Sequence, residues 1–506
     1  MNDKYIRFFH CFRRLNRITR TLESRHRHSS TSVTNNAAPA IAIRPKGYWD
    51  ALAVDQKNPV LPIPQSAYRR YTSTELSKLT HPPRCAGVSV RDFIEDALYN
   101  PHYGYFSKKA VIFSPSEDIQ FNTFKNVQHF MNHLGELYKA VESNSPPIDD
   151  IARQVWHTPT ELFRPWYGYA LAHYIVQLHI SKQDTSGPLI IYEVGAGNGT
   201  LMMNILDYIR DRHPDIYVNT RYNVIEISAK LAALQSEAIP ASSKSRVLPH
   251  DKIRIINKSI FEWDVTVSDP CFIIAMEVID NFAHDMVRYD NVSGKPVQGV
   301  VMIDENGDYQ EAYEPATDPL LLRYLELRDI PPPVLSPRIL RLLRRNLIPF
   351  APNLSRPEWI PTKTIVLFDI LAKYFPNHRL VLSDFDKLPD AVSGHLGPVV
   401  QTRYDGQMIA CSTYLVQPGW FDIFFPTDFE MLKKVYLKIC NSRDNFVVGG
   451  AEKTHLTGEG SGKERSVRLC TQKQFLQENA QVEKTRTMSG ENPMLTFYEN
   501  FQFMLS

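Results

Sequence analysis

Three glycines fall within five positions of residues 190–206, IIYEVGAGNGTLMMNIL. Gly195, Gly197 and Gly199 strip side chains from a turn between an apolar run and a helix-like one, so a ligand can approach the backbone closely there. An acid, Glu193, precedes the turn, and the next apolar run, RYNVIEI, closes around a second acid, Glu226. The spacing sorts the ligands. A nicotinamide site wants GxGxxG with its acid about 20 residues on. Here the pattern is ExGxGxG, and Glu226 lies 27 residues past Gly199. A phosphate loop would close on Gly-Lys-Ser/Thr, which this turn lacks. What fits is a nucleoside cofactor without a pyrophosphate, S-adenosylmethionine. The glycines admit its methionine part, Glu193 faces its ammonium or orders water around it, and Glu226 accepts both ribose hydroxyls. The competing reading is a structural strand-turn-helix with an incidental glycine cluster.

Two further segments supply chemistry. In NKSIFEWD, Ile260 with Phe261 could sandwich an adenine while Ser259 meets its polar edge; Phe261 and Trp263 read equally well as core. In CFIIAMEVIDNFAHD, Glu277 and Asp280 stand three residues apart where a strand gives way to a turn, with His284 close behind. Methyl transfer needs mainly alignment of an attacking lone pair. For a guanidinium nucleophile, paired acids grip the cation and localise a lone pair on the attacking nitrogen. The plainer alternatives are a helix cap or surface acid for each carboxylate, and a structural role for His284, which as a reactive group would be a general base. No metal is expected.

These residues must be carried on strand ends. LIIYEV, RYNVIEI, KIRIINKSI and CFIIAMEVI read as strands, with TLMMNILDYIRDRH and AKLAALQSEAI as the helices between them. Strands alternating with helices argue a parallel, doubly wound sheet, and ligands bind beyond the carboxyl ends of such strands. Upstream, SVRDFIEDALYN reads as a helix capped by Ser89 and stopped by Pro101, HYGYF as a turn into an aromatic strand, and TPTELFRPWYGYALAHYIVQLHIS as one long helix entered at Thr-Pro. Residues 107–156 carry no strong signal and read as an insertion. Downstream, 310–361 is helix-like and broken by prolines, with a basic amphipathic stretch, SPRILRLLRRNLI, read as a surface helix; HRLVLSDFDKLP and QTRYDG…STYLVQP read as late strands, and GGAEKTHLTGEGSGKER as a flexible loop.

The whole chain of 506 residues carries a net charge of only +2, which gives no argument for nucleic acid. The charge is uneven. Residues 1–44 run from Lys4 and Arg7 to Arg27 and Arg44 against only Asp3 and Glu23, and turn Ser/Thr-rich at HSSTSVTNN. An Arg-rich, Ser-rich, acid-poor start with interspersed Phe and Leu reads as a mitochondrial transit peptide, the alternative being a disordered basic arm. Neither a secretory core nor an apolar run long enough to span a membrane is found. The six cysteines are scattered without CxxC spacing and read as reduced thiols.

RDFIEDALYNPHYGYF, TPTELFRPWYGYAL, YEVGAGNGTLMMNIL, AMEVIDNFAHD and GWFDIFFPTDFEML occur in the order seen in the MidA-like proteins, the mitochondrial complex I assembly factors regarded as S-adenosylmethionine-dependent protein arginine methyltransferases. The chain resembles a divergent member. Gly195-Ala196-Gly197-Asn198-Gly199 stands for the family's Gly-Pro-Gly-Arg-Gly, Tyr167-Gly168-Tyr169 for Phe-Gly-Glu, and Met276 for an asparagine, while Glu277 and Asp280 keep the two acids. The resemblance implies an α/β chain: a seven-stranded doubly wound, Rossmann-like methyltransferase core with helical insertions and an N-terminal extension, a mitochondrial matrix address, and a protein substrate, possibly a complex I subunit. The expected division is a transit peptide at 1–44, a Pro-rich extended segment at 45–88, a family-specific region at 89–186 with the insertion 107–156, the S-adenosylmethionine-binding core at 187–310, a helical cap at 311–362, and the rest of the core at 363–506 with a loop at 449–465. The rival reading is an assembly factor that keeps the fold without catalysis. An RNA methyltransferase is disfavoured because basic runs occur only in the leader and at Arg338–Arg345.

Overall fold

Apolar runs that stay buried on both faces are what a parallel sheet requires, and four of them form its centre here. A computed structural model describes residues 68–108, 111–115, 117–143, 155–156, 158–181, 187–241, 250–291, 293–330, 353–389, 391–404, 407–441 and 465–506. The chain divides into Met1–Tyr48 and Trp49–Ser506, and every described residue belongs to the second unit. The transit-peptide, basic-helix (336–348) and flexible-loop (449–464) expectations, and the Pro-rich segment up to residue 67, lie outside the described residues.

The main sheet has seven strands: β1 (Ile190–Val194), β2 (Arg221–Ile225), β3 (Ile253–Ile256), β4 (Cys271–Met276), β5 (His378–Phe385), β6 (Arg468–Thr471) and β7 (Phe501–Leu505). Their order is β6-β7-β5-β4-β1-β2-β3. Neighbours from β5 to β3 are parallel, and β7 runs antiparallel between β5 and β6. The chain winds outward from β1 through β2 and β3, then returns to the other side of β1 with β4. That reversal opens a crevice at the carboxyl ends of β1 and β4.

Alternate residues of each strand enter two separate cores. Ile191, Val224, Ile274 and Val381 pack with helices Trp166–Ser181, Thr200–Arg212 and Gln472–Asn479. Ile190, Ile225, Ile273 and Leu382 pack with helices Thr362–Tyr374 and Phe429–Asn441.

The connection from β4 to β5 carries a second sheet. Its strands Asp285–Tyr289, Pro296–Ile303, Tyr309–Pro315 and Glu358–Ile360 pair with Arg69–Tyr71 and Ala86–Ser89 from the beginning of the described chain. A third sheet, Val399–Tyr404, Gln407–Cys411 and Asp422–Phe424, lies in the connection from β5 to β6. Helix Val90–Tyr99 seals these layers, burying Phe93, Ala97 and Leu98 against Val301, Trp359 and Ile423. Phe93 meets Tyr309 edge-on at 5.3 Å, and its truncation to alanine would cost roughly 3–5 kcal/mol.

Several local readings change. HYGYF leads into a short helix, Tyr105–Lys108, rather than an aromatic strand. The long helix is two, Pro159–Leu162 and Trp166–Ser181, because Pro165 offers no N–H to continue the first. The unsignalled insertion contains helix Val127–Ser143, whose Phe130 and Leu134 join Phe121 and Phe163 in the first core. The pairing of 300–303 with 86–89 joins segments on either side of the expected division at 187.

Candidate functional site

The glycine turn follows β1 at the crevice. Gly195, Gly197 and Gly199 have φ of +69°, +55° and +79°, a left-handed backbone that costs side-chain-bearing residues roughly 1–2 kcal/mol each. Gly199 then caps helix Thr200–Arg212. The turn is braced by Glu161, which sequence reasoning missed. From the short helix Pro159–Leu162, its Oε1 accepts from Asn198 Nδ2 at 3.0 Å and from Thr200 Oγ1 at 2.8 Å. The turn also borders the loop after β4: a Cβ on Gly195 would lie 3.4 Å from Val278 Cγ2.

Glu193 is buried within β1, and its Oε2 accepts from Tyr222 Oη at 2.7 Å. Burial pushes its carboxyl up to about 7, against the Tyr222 hydrogen bond and helped by the neighbouring Glu226 charge. Glu226 closes β2. Its Oε1 accepts from Ser228 N at 2.9 Å and its Oε2 from Gln235 Nε2 at 3.1 Å; burial raises its pKa in spite of them. Each carboxylate oxygen has two lone-pair sites, and with the Ile227 N–H also acting on this carboxylate it retains acceptor capacity beyond these donors.

On the adenine side, Ser259 Oγ accepts from Phe261 N at 3.3 Å, capping a short 3-10 turn and leaving its hydroxyl proton to donate. Ile260 is buried with Ile225 and Val194. Phe261 lies edge-on to Phe282 at 5.0 Å, with the Lys363 ammonium 4.2 Å from its ring centre. Trp263 is a core residue: it packs on Tyr192 and Phe375, and its Nε1 donates to Val265 O at 2.6 Å.

Four acids meet beyond β4 and β5. Glu277 leaves β4 with φ +54° while its N–H still donates to Ser383 O at 2.9 Å. A glutamate in the left-handed region is strained backbone at the crevice. Asp384, at the end of β5, is wholly buried. Its Oδ2 accepts from Ile279 N and Asp280 N at 3.0 and 3.1 Å, and its Oδ1 from Phe385 N at 2.8 Å. Asp422 comes from the third sheet and accepts from Asn281 Nδ2 at 3.1 Å. The Asn281 carbonyl in turn receives Tyr99 Oη at 3.1 Å, which ties helix Val90–Tyr99 to the loop.

Asp280 Oδ1 and Asp422 Oδ2 are enclosed without a hydrogen-bond partner. Burial drives Glu277, Asp280 and Asp422 well above the carboxylate range, and the Asp384 charge adds to the first two; burial raises Asp384 to about 7 against its backbone donors. The largest influences on the four are burial, one another's charges and hydrogen-bond donors around them. Asp384 and Asp422 were not singled out from sequence, though Asp384 closes a buried strand as Glu226 does.

His284 is buried, stacked on Phe425 at 3.8 Å, and its Nδ1–H donates to Phe282 O at 2.7 Å. Burial lowers its pKa to about 3, so the ring is neutral and a weak base. It lines a narrow cleft with Ile279, Tyr324, Thr364, Asp428 and Leu432.

Residues 170–445 match the family described as "Putative S-adenosyl-L-methionine-dependent methyltransferase". The chain belongs to that family. Its cofactor is S-adenosylmethionine, in keeping with the turn, and the donor set suits the nucleoside: a ribose offers hydroxyl donors, and Glu226 keeps acceptor capacity beyond its protein donors. A Schizosaccharomyces pombe protein, "Protein arginine methyltransferase NDUFAF7 homolog, mitochondrial", is 23% identical over 361 residues, 66% of this chain and 70% of that one. A solved protein from Burkholderia thailandensis, bound to S-adenosyl-homocysteine, aligns with 88% of this chain and 95% of its own at 14% identity and a TM-score of 0.48. Among the described residues, no helix is long and apolar enough to cross a membrane.

Proposed function

We propose that this protein methylates the guanidinium nitrogen of a protein arginine in the mitochondrial matrix, on a subunit of respiratory complex I during its assembly. The observation that carries the acceptor is the cluster of Glu277, Asp280, Asp384 and Asp422, buried with two orphaned oxygens, Asp280 Oδ1 and Asp422 Oδ2. Buried charges need a partner, and a guanidinium brings both the charge and a fork of donors suited to carboxylates. The name of the fission-yeast relative and the Arg-rich, acid-poor first 44 residues support the substrate class and the address.

The turn at Gly195, Gly197 and Gly199 and the carboxyl of Glu193 would hold the methionine part of the cofactor, Glu226 the ribose, and Ser259 with Ile260 the adenine. When bound, S-adenosylmethionine supplies an electrophilic methyl group on its sulfonium. Glu277 and Asp280 hold the acceptor so that one nitrogen lone pair faces that methyl; alignment of this kind supplies most of what such a reaction needs. The methylated nitrogen must shed one proton, and carboxylates raised towards neutrality are suited to receive it.

The test combines mass spectrometry of mitochondrial proteins with and without the chain and transfer of labelled methyl groups by purified protein. Methylarginine that disappears with the chain, and with Asp280→Asn, is expected. Cofactor binding without transfer to any mitochondrial protein would leave the assembly-factor reading standing instead.

A further inference from the structure

Gln235 is fully buried on helix Ala229–Ala241, and its side chain spans the crevice wall. Its Nε2 donates to Gly197 O at 2.9 Å and to Glu226 Oε2 at 3.1 Å. Both partners are acceptors only, so the orientation of the amide is fixed: the nitrogen faces them and Oε1 faces away. That Oε1 is enclosed with no partner. Leaving a buried acceptor unpaired is unfavourable, so an amide kept in this pose is held there by the two bonds it makes. Those two bonds join the glycine turn to the carboxylate that closes the next strand. The remaining anchors lie elsewhere: Ser228 N holds the other Glu226 oxygen, and Asn257 Nδ2 holds the Glu226 carbonyl at 2.7 Å.

We infer that Gln235 is a cofactor-positioning residue. It sets the distance between the turn and Glu226, and so between the two places where the methionine and ribose parts of S-adenosylmethionine are gripped. It acts through Glu226 and Gly197, by aiming the Glu226 carboxylate and fixing the carbonyl on its near side. The inference rests on the assignment of Glu226 to the ribose.

Calorimetric titration with S-adenosylhomocysteine, which requires no turnover, tests it. Gln235→Met, which keeps the volume and loses both bonds, is expected to weaken binding at least 10-fold. In a Glu226→Gln background the same change is expected to weaken it much less, because the carboxylate to be aimed has gone. Gln235→Glu provides a second readout if the methionine variant does not fold. Its carboxyl would face two acceptors and can donate to one of them only when protonated, so binding is expected to strengthen relative to the parent as pH falls from 8 to 6. Parent-like affinity in Gln235→Met, full additivity with Glu226→Gln, or a flat relative pH profile for Gln235→Glu would each overturn the role. A parent chain that fails to bind S-adenosylhomocysteine would overturn the ribose assignment as well.

Discussion

The Asp384 carboxylate holds the backbone N–H of Asp280 at 3.1 Å, across 104 residues of sequence. One carboxylate thus fixes the main chain of another, and both lie in a cluster where burial and mutual repulsion favour the protonated forms. That pairing gives the protein a pH signature. Folded Asp384 titrates near 7, against an ordinary 3.8. The folded state therefore keeps a proton that the unfolded chain has already released, and stability falls as pH rises through 7. Asp384→Asn removes this contribution. Between pH 6 and 8 the parent should lose about 1.4 kcal/mol more than the variant, read by denaturant unfolding without ligand. That window lies mostly above the range in which neutral His284 and His378, both lowered to about 3, contribute the opposite slope. An equal slope in both proteins would remove Asp384 from the titration.

Asp280→Asn should separate binding from transfer. Under the proposed function, the orphaned Oδ1 of Asp280 serves the acceptor and not the cofactor. Truncating one partner of a buried charge pair costs about 2–5 kcal/mol, so methyl transfer should fall 30-fold or more. Affinity for S-adenosylhomocysteine should stay within about threefold. Loss of both together would mean that the residue supports the fold.

Gly197→Arg should abolish cofactor binding. The position has φ +55°, which an arginine adopts only at a cost of about 1 kcal/mol or more, and its long side chain would enter the crevice. Calorimetry on the folded variant checks this; parent-like affinity would place the cofactor elsewhere.

Glu161→Ala should loosen the turn without touching the ligand. Two hydrogen bonds to a charged group are lost, to Asn198 and Thr200, worth about 1.5–3 kcal/mol each. Cofactor affinity should fall about 10-fold and melting temperature should drop. Glu161→Gln, which keeps one acceptor oxygen, should recover most of both. If the glutamine variant behaves like the alanine one, the charge rather than the acceptor geometry matters.

Glu226→Ala should cost the ribose contacts, lowering S-adenosylhomocysteine affinity roughly 10- to 100-fold. A nucleoside analogue lacking both ribose hydroxyls should bind parent and variant alike. Discrimination that survives the substitution would point to another ribose partner.

What was legible in the sequence was local. Ser89 does cap helix Val90–Tyr99, accepting from Asp92 N at 3.0 Å, because a cap needs only its own three following residues. The central strands and the glycine turn follow for the same reason: apolar runs and left-handed positions are written in consecutive residues. The acid cluster is different. Asp422 meets Asn281 across 141 positions, and nothing in GWFDIFFP announces which strand end it will face. The second sheet was hidden because residues 86–89 and 300–303 pair only after β1 to β4 of the main sheet intervene. Helix Val127–Ser143 was readable in hindsight, from Phe130 and Leu134 one turn apart, but its surroundings gave no cap or breaker to frame it.

The placement of β7 bears on how the protein is made. Residues 501–505 insert between β5 and β6, with Phe503 opposite both Ser383 and Cys470. Until that stretch has left the ribosome, β5 has a bare edge and β6 has no neighbour at all. The nascent chain must therefore hold nearly finished strands open until residues 501–505 have been made. A chain lacking residues 501–505 would keep its glycine turn and be unable to close its sheet.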